Sequence, residues 1–167
     1  MSRYKHREKK SFAGIPRRVI DSAAYKSLDG NAVKLLVNIA YFYNGKNNGN
    51  ISITMSLLKP WFNSNTTLYR ARDQLYEKGF IVINSFGGRS MNGKKLPHLY
   101  ALTWVPVDQV EDKTFNVRIF HYKSSNISLN YWMSGKNPDF KNQEERSRQY
   151  KKDIKKPVLK IKPINEK

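Results

Sequence analysis

A regular apolar stripe between residues 29 and 45 is the feature that most constrains the fold of this chain. Apolar side chains recur there at steps of three and four residues, which is the spacing of one face of an amphipathic helix. Asp29 precedes the stripe as an N-cap residue, and Asn44 and Gly45 end it. The stripe consists of Ala32, Val33, Leu35, Leu36, Ile39, Ala40 and Tyr43.

A turn, a short strand and a short helix follow this stripe. Residues 45–50 contain only Gly, Asn and Lys, and Gly and Asn accept the positive φ angles of tight turns. Residues 51–53 alternate in polarity as a short strand does. Thr54 is the predicted N-cap of a short helix that extends to Trp61. Pro60 keeps this helix short or irregular, because it lacks an N–H group and its ring clashes with the preceding turn.

A second amphipathic helix is predicted over residues 64–78. Ser64 is its N-cap, and Leu68, Ala71 and Leu75 form one apolar line along it. Gly79 is the residue at which we expect the helix to end, because Gly adopts the left-handed conformation of a helix C-terminus at little cost.

Two strands and a basic loop complete the pattern. Residues 80–83 predict a buried strand, and residues 98–104 predict its partner. Between them, the Gly-rich and Lys-rich residues 87–95 predict a mobile basic loop. The predicted order is therefore helix, strand, helix, turn, helix, strand, basic loop, strand.

His98 lies in an apolar strand, where we expect a half-buried, hydrogen-bonded histidine rather than a metal ligand.

The charge balance favours a polyanionic partner. Among 167 residues, 31 Lys and Arg against 13 Asp and Glu give a formal charge of +18. The absence of Cys excludes disulfides and Cys-ligated zinc and fits a reducing compartment. No run of about 18 apolar residues is present, and no secretory signal is recognisable. We expect a cytoplasmic, nucleoid-associated protein without a membrane span.

The composition divides the chain into four segments. We predict a flexible basic arm at 1–11, a folded domain at 12–106, an aromatic-rich extension at 107–140 and a disordered charged tail at 141–167. We expect the extension to pack on the domain or on a partner, with an extra strand at 115–122, although basic residues interleaved with aromatic ones are also typical of single-strand binders. The tail is a candidate docking peptide for a protein partner. The basic residues of the arm are Arg3, Lys5, Arg7, Lys9 and Lys10.

Two strings carry a resemblance to a known fold. Ser-Asn-Thr-Thr-Leu-Tyr-Arg-Ala at 64–71 and Glu-Lys-Gly-Phe-Ile at 77–81 resemble the recognition helix and first wing strand of winged helix-turn-helix regulators of bacteria. The motif at 15–22, Ile-Pro-Arg-Arg-Val-Ile-Asp-Ser, is also similar to small helix-turn-helix proteins of bacteria and their mobile elements. The resemblance implies an α+β fold, with three helices and a small antiparallel β-wing, that binds double-stranded DNA.

The first two turns of the 64–78 helix hold the candidate base-reading residues. If the apolar line faces inward, the step of 100° per residue turns Thr66, Tyr69 and Arg70 outward, with Ser64 and Asn65 at the tip. Arg70 suits guanine or a phosphate, and Asn65 suits adenine. Ser64 and Thr66 suit phosphate oxygens near a helix N-terminus.

Two acidic residues and an arginine at an unexpected position affect how this helix could contact DNA. Asp73 and Glu77 repel phosphate, so only the first two turns can approach DNA closely. They also offer Arg70 an ion pair as an alternative to DNA contact. Arg72 stands where relatives usually carry a leucine, so it must snorkel, pair with an acid or reach the backbone. Residues 62–63 replace the usual glycine-containing turn.

Further basic residues are candidates for backbone contacts. Arg89, Lys94 and Lys95 lie on the predicted wing and are assigned to phosphates or a minor groove, although they could simply keep a loop soluble. Arg17 and Arg18 follow Pro16 at the edge of the domain and are assigned to the adjacent DNA backbone.

The residues together favour a non-enzymatic protein that reads duplex DNA. The helix at 64–78 would enter the major groove and the wing at 86–97 would contact the backbone or minor groove. Transcriptional regulation is the preferred role, and origin binding by a plasmid or phage replication protein is the alternative. A nonspecific nucleic-acid or RNA-binding module remains a third reading. We expect no catalytic residues, metal or cofactor, and a homodimer is open because such proteins often read paired half-sites.

Overall fold

The computed structural model describes residues 12–90, 92–110 and 119–140, together with Glu145 and Arg148. Within these residues the chain is a mixed α+β protein with five α-helices and a small antiparallel sheet. The helices are α1 (Arg17–Ile20), α2 (Ala23–Lys26), α3 (Gly30–Phe42), α4 (Met55–Leu58) and α5 (Asn65–Glu77). The strands are β1 (Ile51–Ser52), β2 (Ile81–Ser85), β3 (Gly88–Arg89), β4 (Lys95–Leu96) and β5 (Leu99–Leu102).

Helix α3 is the predicted helix, and its predicted N-cap is confirmed. The carboxylate of Asp29 accepts a hydrogen bond of 2.7 Å from the backbone N–H of Ala32, which satisfies one of the unpaired donors of the first turn. Leu35, Leu36 and Ile39 are fully or almost fully buried and form the face that packs on α5. The apolar stripe therefore builds the centre of the core.

Helix α5 crosses α3 through the predicted apolar line. Leu68, Ala71 and Leu75 are buried, and the helix ends before Gly79, whose φ of +79° confirms the predicted stop. A Cβ atom at this glycine would lie 2.8 Å from the backbone of Tyr131, so both the conformation and the close approach require Gly here.

The sheet packs its inner face on these helices. Its strands run in the order β1-β5-β2, and all pairs are antiparallel. The strand predicted at 80–83 occupies Ile81–Ser85, and the one predicted at 98–104 occupies only Leu99–Leu102. An irregularity in the register between Ile83 and Ser85 lets β2 continue beyond the predicted residues.

Three local predictions need correction. The chain has five helices in its described part rather than three, because α1 and α2 are four residues each and too short to produce a periodic pattern. Helix α4 ends at Leu58, before Pro60. Thr54 occupies its predicted N-cap position but makes no side-chain capping hydrogen bond, and its hydroxyl lies 3.0 Å from that of Ser56. The loop predicted at 87–95 contains a hairpin in which β3 pairs with β4.

The turn at 45–50 holds a buried hydrogen-bonding centre. The side chain of Asn48 is fully buried, and its Nδ2 donates to the carbonyl oxygens of Leu102, Val105 and Pro106 at 2.9, 3.0 and 2.9 Å. Its Oδ1 accepts from the N–H of Leu102 at 2.6 Å. The backbone N–H of Asn48 also donates to the Asp108 carboxylate. One side chain thereby joins the turn after α3 to the end of β5.

Residues 119–140 pack on the corner between α5 and β2. Trp132 lies in the same core as the two long helices, and the hydroxyl of Tyr76 donates to the carbonyl oxygen of Asp139. The hydroxyl of Tyr122 donates to the carboxylate of Asp139. Burial, followed by this hydrogen bond and the charge of Asp139, raises the pKa of Tyr122, so the hydroxyl keeps its proton.

Some predictions fall outside the described residues. These are the basic arm at 1–11, residues 115–118 of the strand proposed at 115–122, and the tail at 141–167 apart from Glu145 and Arg148. Residues 119–122 are described and form no strand, so the prediction is wrong for that half.

Candidate nucleic-acid interface

One face of α5 carries five exposed polar or aromatic side chains. Ser64, Asn65, Thr66, Tyr69 and Arg70 are all exposed, and Tyr69 is 42% exposed despite its large ring. The opposite face of the helix is its buried apolar line. The structure therefore brings together the five residues that the sequence placed on the outer face of this helix.

The positive partial charge at the N-terminus of α5 is offset neither by a capping side chain nor by an acidic residue in the first turn. Ser64 occupies the N-cap position, but its side chain makes no capping hydrogen bond, and the first turn contains no acidic residue. The free N–H groups and the helix dipole at such an end favour an anion. A phosphate near Ser64, Asn65 or Thr66 would complement this end of the helix.

Arg70 is free to contact a ligand. No hydrogen bond or ion pair joins its guanidinium to any part of the chain that the structure describes, so the alternative pairing with Asp73 or Glu77 does not form there. A guanidinium that is exposed and unpaired can offer both parallel donors to a guanine edge or a phosphate.

Arg72 stands at the position where a leucine is expected. It pairs with the carboxylate of Asp73, which is one of the three outcomes that the sequence left open. Its Nη2 and Nε lie 2.8 and 3.0 Å from Oδ1 of Asp73, and its Cζ lies 4.7 Å from the centre of the Tyr69 ring. Only 15% of the Arg72 side chain is exposed. Burial acts to lower its pKa, but Tyr100, Asp73 and Tyr69 outweigh burial and raise it, so Arg72 stays charged.

This arrangement changes the electrostatics of the helix face. The charge of Asp73 is offset by its neighbour, so it repels phosphate less than its position in the sequence suggests. The guanidinium also holds one side of the Tyr69 ring. The spacing of Tyr69 and Arg72, three residues apart on a helix, is the sequence signal that could have revealed the contact.

The β3–β4 hairpin presents three more exposed cations. Arg89 and Lys95 are directly opposite in the register, and Lys94 lies in the turn between them. The N–H of Ser90 donates to the carbonyl of Lys94 at 2.8 Å, and Gly93 closes the turn with a φ of +73°. Arg89 donates to the carbonyl oxygen of Gly93 at 3.1 Å, which leaves other guanidinium donors available.

The base of the hairpin is fixed to the sheet by a histidine. The N–H of Gly87 donates to Nδ1 of His98 at 3.0 Å, as expected for a half-buried, hydrogen-bonded histidine. Phe86 contacts the rings of both His98 and His121 edge-on, with centroids 5.6 and 5.0 Å apart. The contact with His121 was not predicted, because it joins positions that are distant in the sequence.

Arg17 and Arg18 lie on a different element. Both are exposed on α1, whose buried residue is Val19 and which packs on α2. They therefore belong to an element other than α5 and the hairpin.

Two further findings concern metal ligands and membrane-spanning helices in the described ranges. No group of three or more His, Cys, Asp or Glu side chains there could hold a metal ion. None of the helices in this part of the chain has the length and apolar character needed to cross a membrane. Comparison with protein-family models, with curated proteins and with solved structures gives no match.

Proposed function

We propose that this protein binds double-stranded DNA through a winged helix-turn-helix domain. In this proposal α4 and α5 are the helix-turn-helix, and β2, β5 and the β3–β4 hairpin are the wing. Two features support it. The described elements follow one another in the order that this fold requires, which is α3, β1, α4, α5 and then the remaining strands. Strand β1 also joins the wing sheet by pairing with β5.

A single observation carries the proposal. Helix α5 buries one apolar face and exposes Asn65, Thr66, Tyr69 and Arg70 on the other, without an internal partner for Arg70 in the described chain. A major groove admits one α-helix, and side chains in its first two turns reach the base edges. Arg70 and Asn65 supply the donors that pair with guanine and adenine.

The hairpin supplies affinity in this proposal. Arg89, Lys94 and Lys95 are long, exposed cations on the β3–β4 hairpin and would contact phosphates or a minor groove. With the formal charge of +18, such contacts release counterions from DNA, so binding should weaken steeply as salt increases.

We further propose a regulatory, non-enzymatic role in transcription. An origin-binding replication protein would use the same contacts with duplex DNA, so the location of the binding sites distinguishes the two roles. Selection of sites from a random duplex library with the purified protein, followed by footprinting, would identify them. Sites near its own promoter would support regulation, whereas repeated sites at an origin would support replication.

Competition binding tests the proposal itself. A protein that reads a groove should prefer duplex DNA over single-stranded DNA and RNA at the same salt concentration, whereas a nonspecific cationic protein should accept any of them. Arg70→Ala should reduce the preference for a selected site. Lys136→Ala is the matched control, because it removes one exposed positive charge on the segment that packs near the C-terminal end of α5. Equal binding to all three polymers would contradict the proposal.

A further inference from the structure

Helix α3 carries a second stripe on the side that faces away from the core. Lys34, Val37 and Tyr41 recur at steps of three and four residues, which places them on one side of the helix. Asn38, beside Val37, is buried, and its Nδ2 donates to the carbonyl oxygen of Lys34. Val37 is 44% exposed and Tyr41 is 65% exposed, unlike the buried residues of the opposite face. Trp61, which follows α4, lies beside this stripe and is 39% exposed.

These side chains border a cavity. It has a volume of about 400 Å³ and is lined by Ala13, Lys34, Val37, Asn38, Tyr41 and Trp61. The rings of Tyr41 and Trp61 contact each other with centroids 6.4 Å apart. Nζ of Lys34 donates to the carbonyl oxygen of Trp61 at 2.9 Å, which holds the cation at the edge of the cavity. We name the stripe and Trp61 together the α3 patch.

We propose that the α3 patch binds a second copy of this chain, with the two α3 helices antiparallel. A two-fold axis between positions 37 and 38, the midpoint of the stripe, would make the patch self-complementary. Lys34 of each copy would then lie opposite Tyr41 of the other copy, a cation opposite an aromatic ring. The apolar centre around Val37 would meet its own equivalent.

The cavity of the α3 patch can admit an aromatic ring of a second copy. Tyr41 projects from the helix, and the cavity beside it exceeds the roughly 150 Å³ that admits a benzene ring. An aromatic side chain of each copy can therefore enter the cavity of the other. The exposed parts of Val37, Tyr41 and Trp61 amount to a few hundred Å², a size that marks interaction sites but falls below the roughly 800 Å² per partner of a stable complex. The expected dimer is weak.

Salt dependence distinguishes this association from charge-driven binding. Each copy carries a formal charge of +18, so two copies repel each other at low salt. Salt screens this repulsion and leaves apolar burial intact. Self-association should therefore strengthen with salt, opposite to the weakening expected for DNA binding. The proposal does not depend on the proposed function, because it is tested without nucleic acid.

Sedimentation equilibrium of the full chain measures the association. We expect the dimer fraction to increase between about 0.1 M and about 0.5 M salt, where the screening length falls well below 10 Å. Tyr41→Ala should weaken association by about tenfold, as removal of a central interface aromatic does. Ile127→Ala is the control, since Ile127 is 78% exposed outside the patch. A monomer at every salt concentration, or equal effects of the two variants, would overturn the proposal and leave the patch to a different partner.

Disulfide cross-linking tests the antiparallel register. The chain contains no Cys, so one introduced thiol reports on a single position. In the proposed pair, the two copies of position 37 are offset along the helix by about 1.5 Å, and those of position 41 by about 10 Å. A disulfide requires Cα atoms within roughly 7 Å. Val37→Cys should therefore cross-link rapidly on oxidation and Tyr41→Cys should not. Faster cross-linking of Tyr41→Cys, or equal rates for the two Cys variants, would refute the register. This test does not depend on whether Tyr41→Ala is stable.

Discussion

Removal of the Asn48 side chain should destabilise the fold more than any other polar truncation in the 45–50 turn. Asn48→Ala eliminates two amide hydrogens that serve the carbonyl oxygens of residues 102, 105 and 106, which costs about 2 kcal/mol at roughly 1 kcal/mol per hydrogen bond. It also leaves the buried N–H of Leu102 without its 2.6 Å acceptor, at a further cost of about 1–3 kcal/mol. The expected loss is about 3–5 kcal/mol, a large part of a typical stability of 5–15 kcal/mol.

Urea denaturation followed by circular dichroism would measure this loss. With a change in Tm of about 2–4 °C per kcal/mol for a chain of this size, thermal unfolding should shift downward by roughly 10 °C. Asn50→Ala is the matched control, because Asn50 is exposed and its side chain makes no hydrogen bond within the described part of the chain. It should change stability by no more than about 0.5 kcal/mol. A similar small change for Asn48→Ala would show that the buried hydrogen bonds do not join the turn to β5 as inferred.

Three further predictions concern the proposed DNA contacts. Arg70→Ala should cost about 1–3 kcal/mol on a selected site and little on random duplex, as measured by fluorescence anisotropy; equal losses on both would make Arg70 a phosphate contact only. Replacement of Lys94 and Lys95 by Ala should reduce the slope of log K against log salt by about one unit per lost contact, and an unchanged slope would remove the hairpin from the interface. Arg72→Leu should weaken binding to all duplexes severalfold, because it removes the guanidinium that offsets the charge of the Asp73 carboxylate. Adding Asp73→Asn should restore much of that loss, and the absence of any restoration would show that the pairing does not offset this charge.

The two long helices could be predicted because their information is local. The apolar spacing in α3 and α5, the carboxylate of Asp29 and the glycine at position 79 each act within one or two turns, and the structure places all of them as expected. The outer face of α5 follows directly, since burial of Leu68 and its neighbours turns Arg70 outward.

The features that could not be predicted depend on contacts between distant residues. Asn48 appears in the sequence as one of several turn asparagines, and only its approach to β5, 54 residues away, makes it a buried hydrogen-bonding centre. Trp132 appears as one aromatic in a basic segment, although it packs in the main core. Helices α1 and α2 are too short for a periodic pattern, and their positions depend on packing around Val19 and Ala24.

The most direct measurement of the central claim is the affinity of the protein for a selected duplex, compared with random duplex and with the single strand of the same sequence at one salt concentration. The account predicts a preference of about 10³-fold or more for the selected duplex over random duplex. That preference should decrease in Arg70→Ala and persist in Lys136→Ala. Equal affinity for all three nucleic acids, or the same response from both variants, would contradict groove reading by α5.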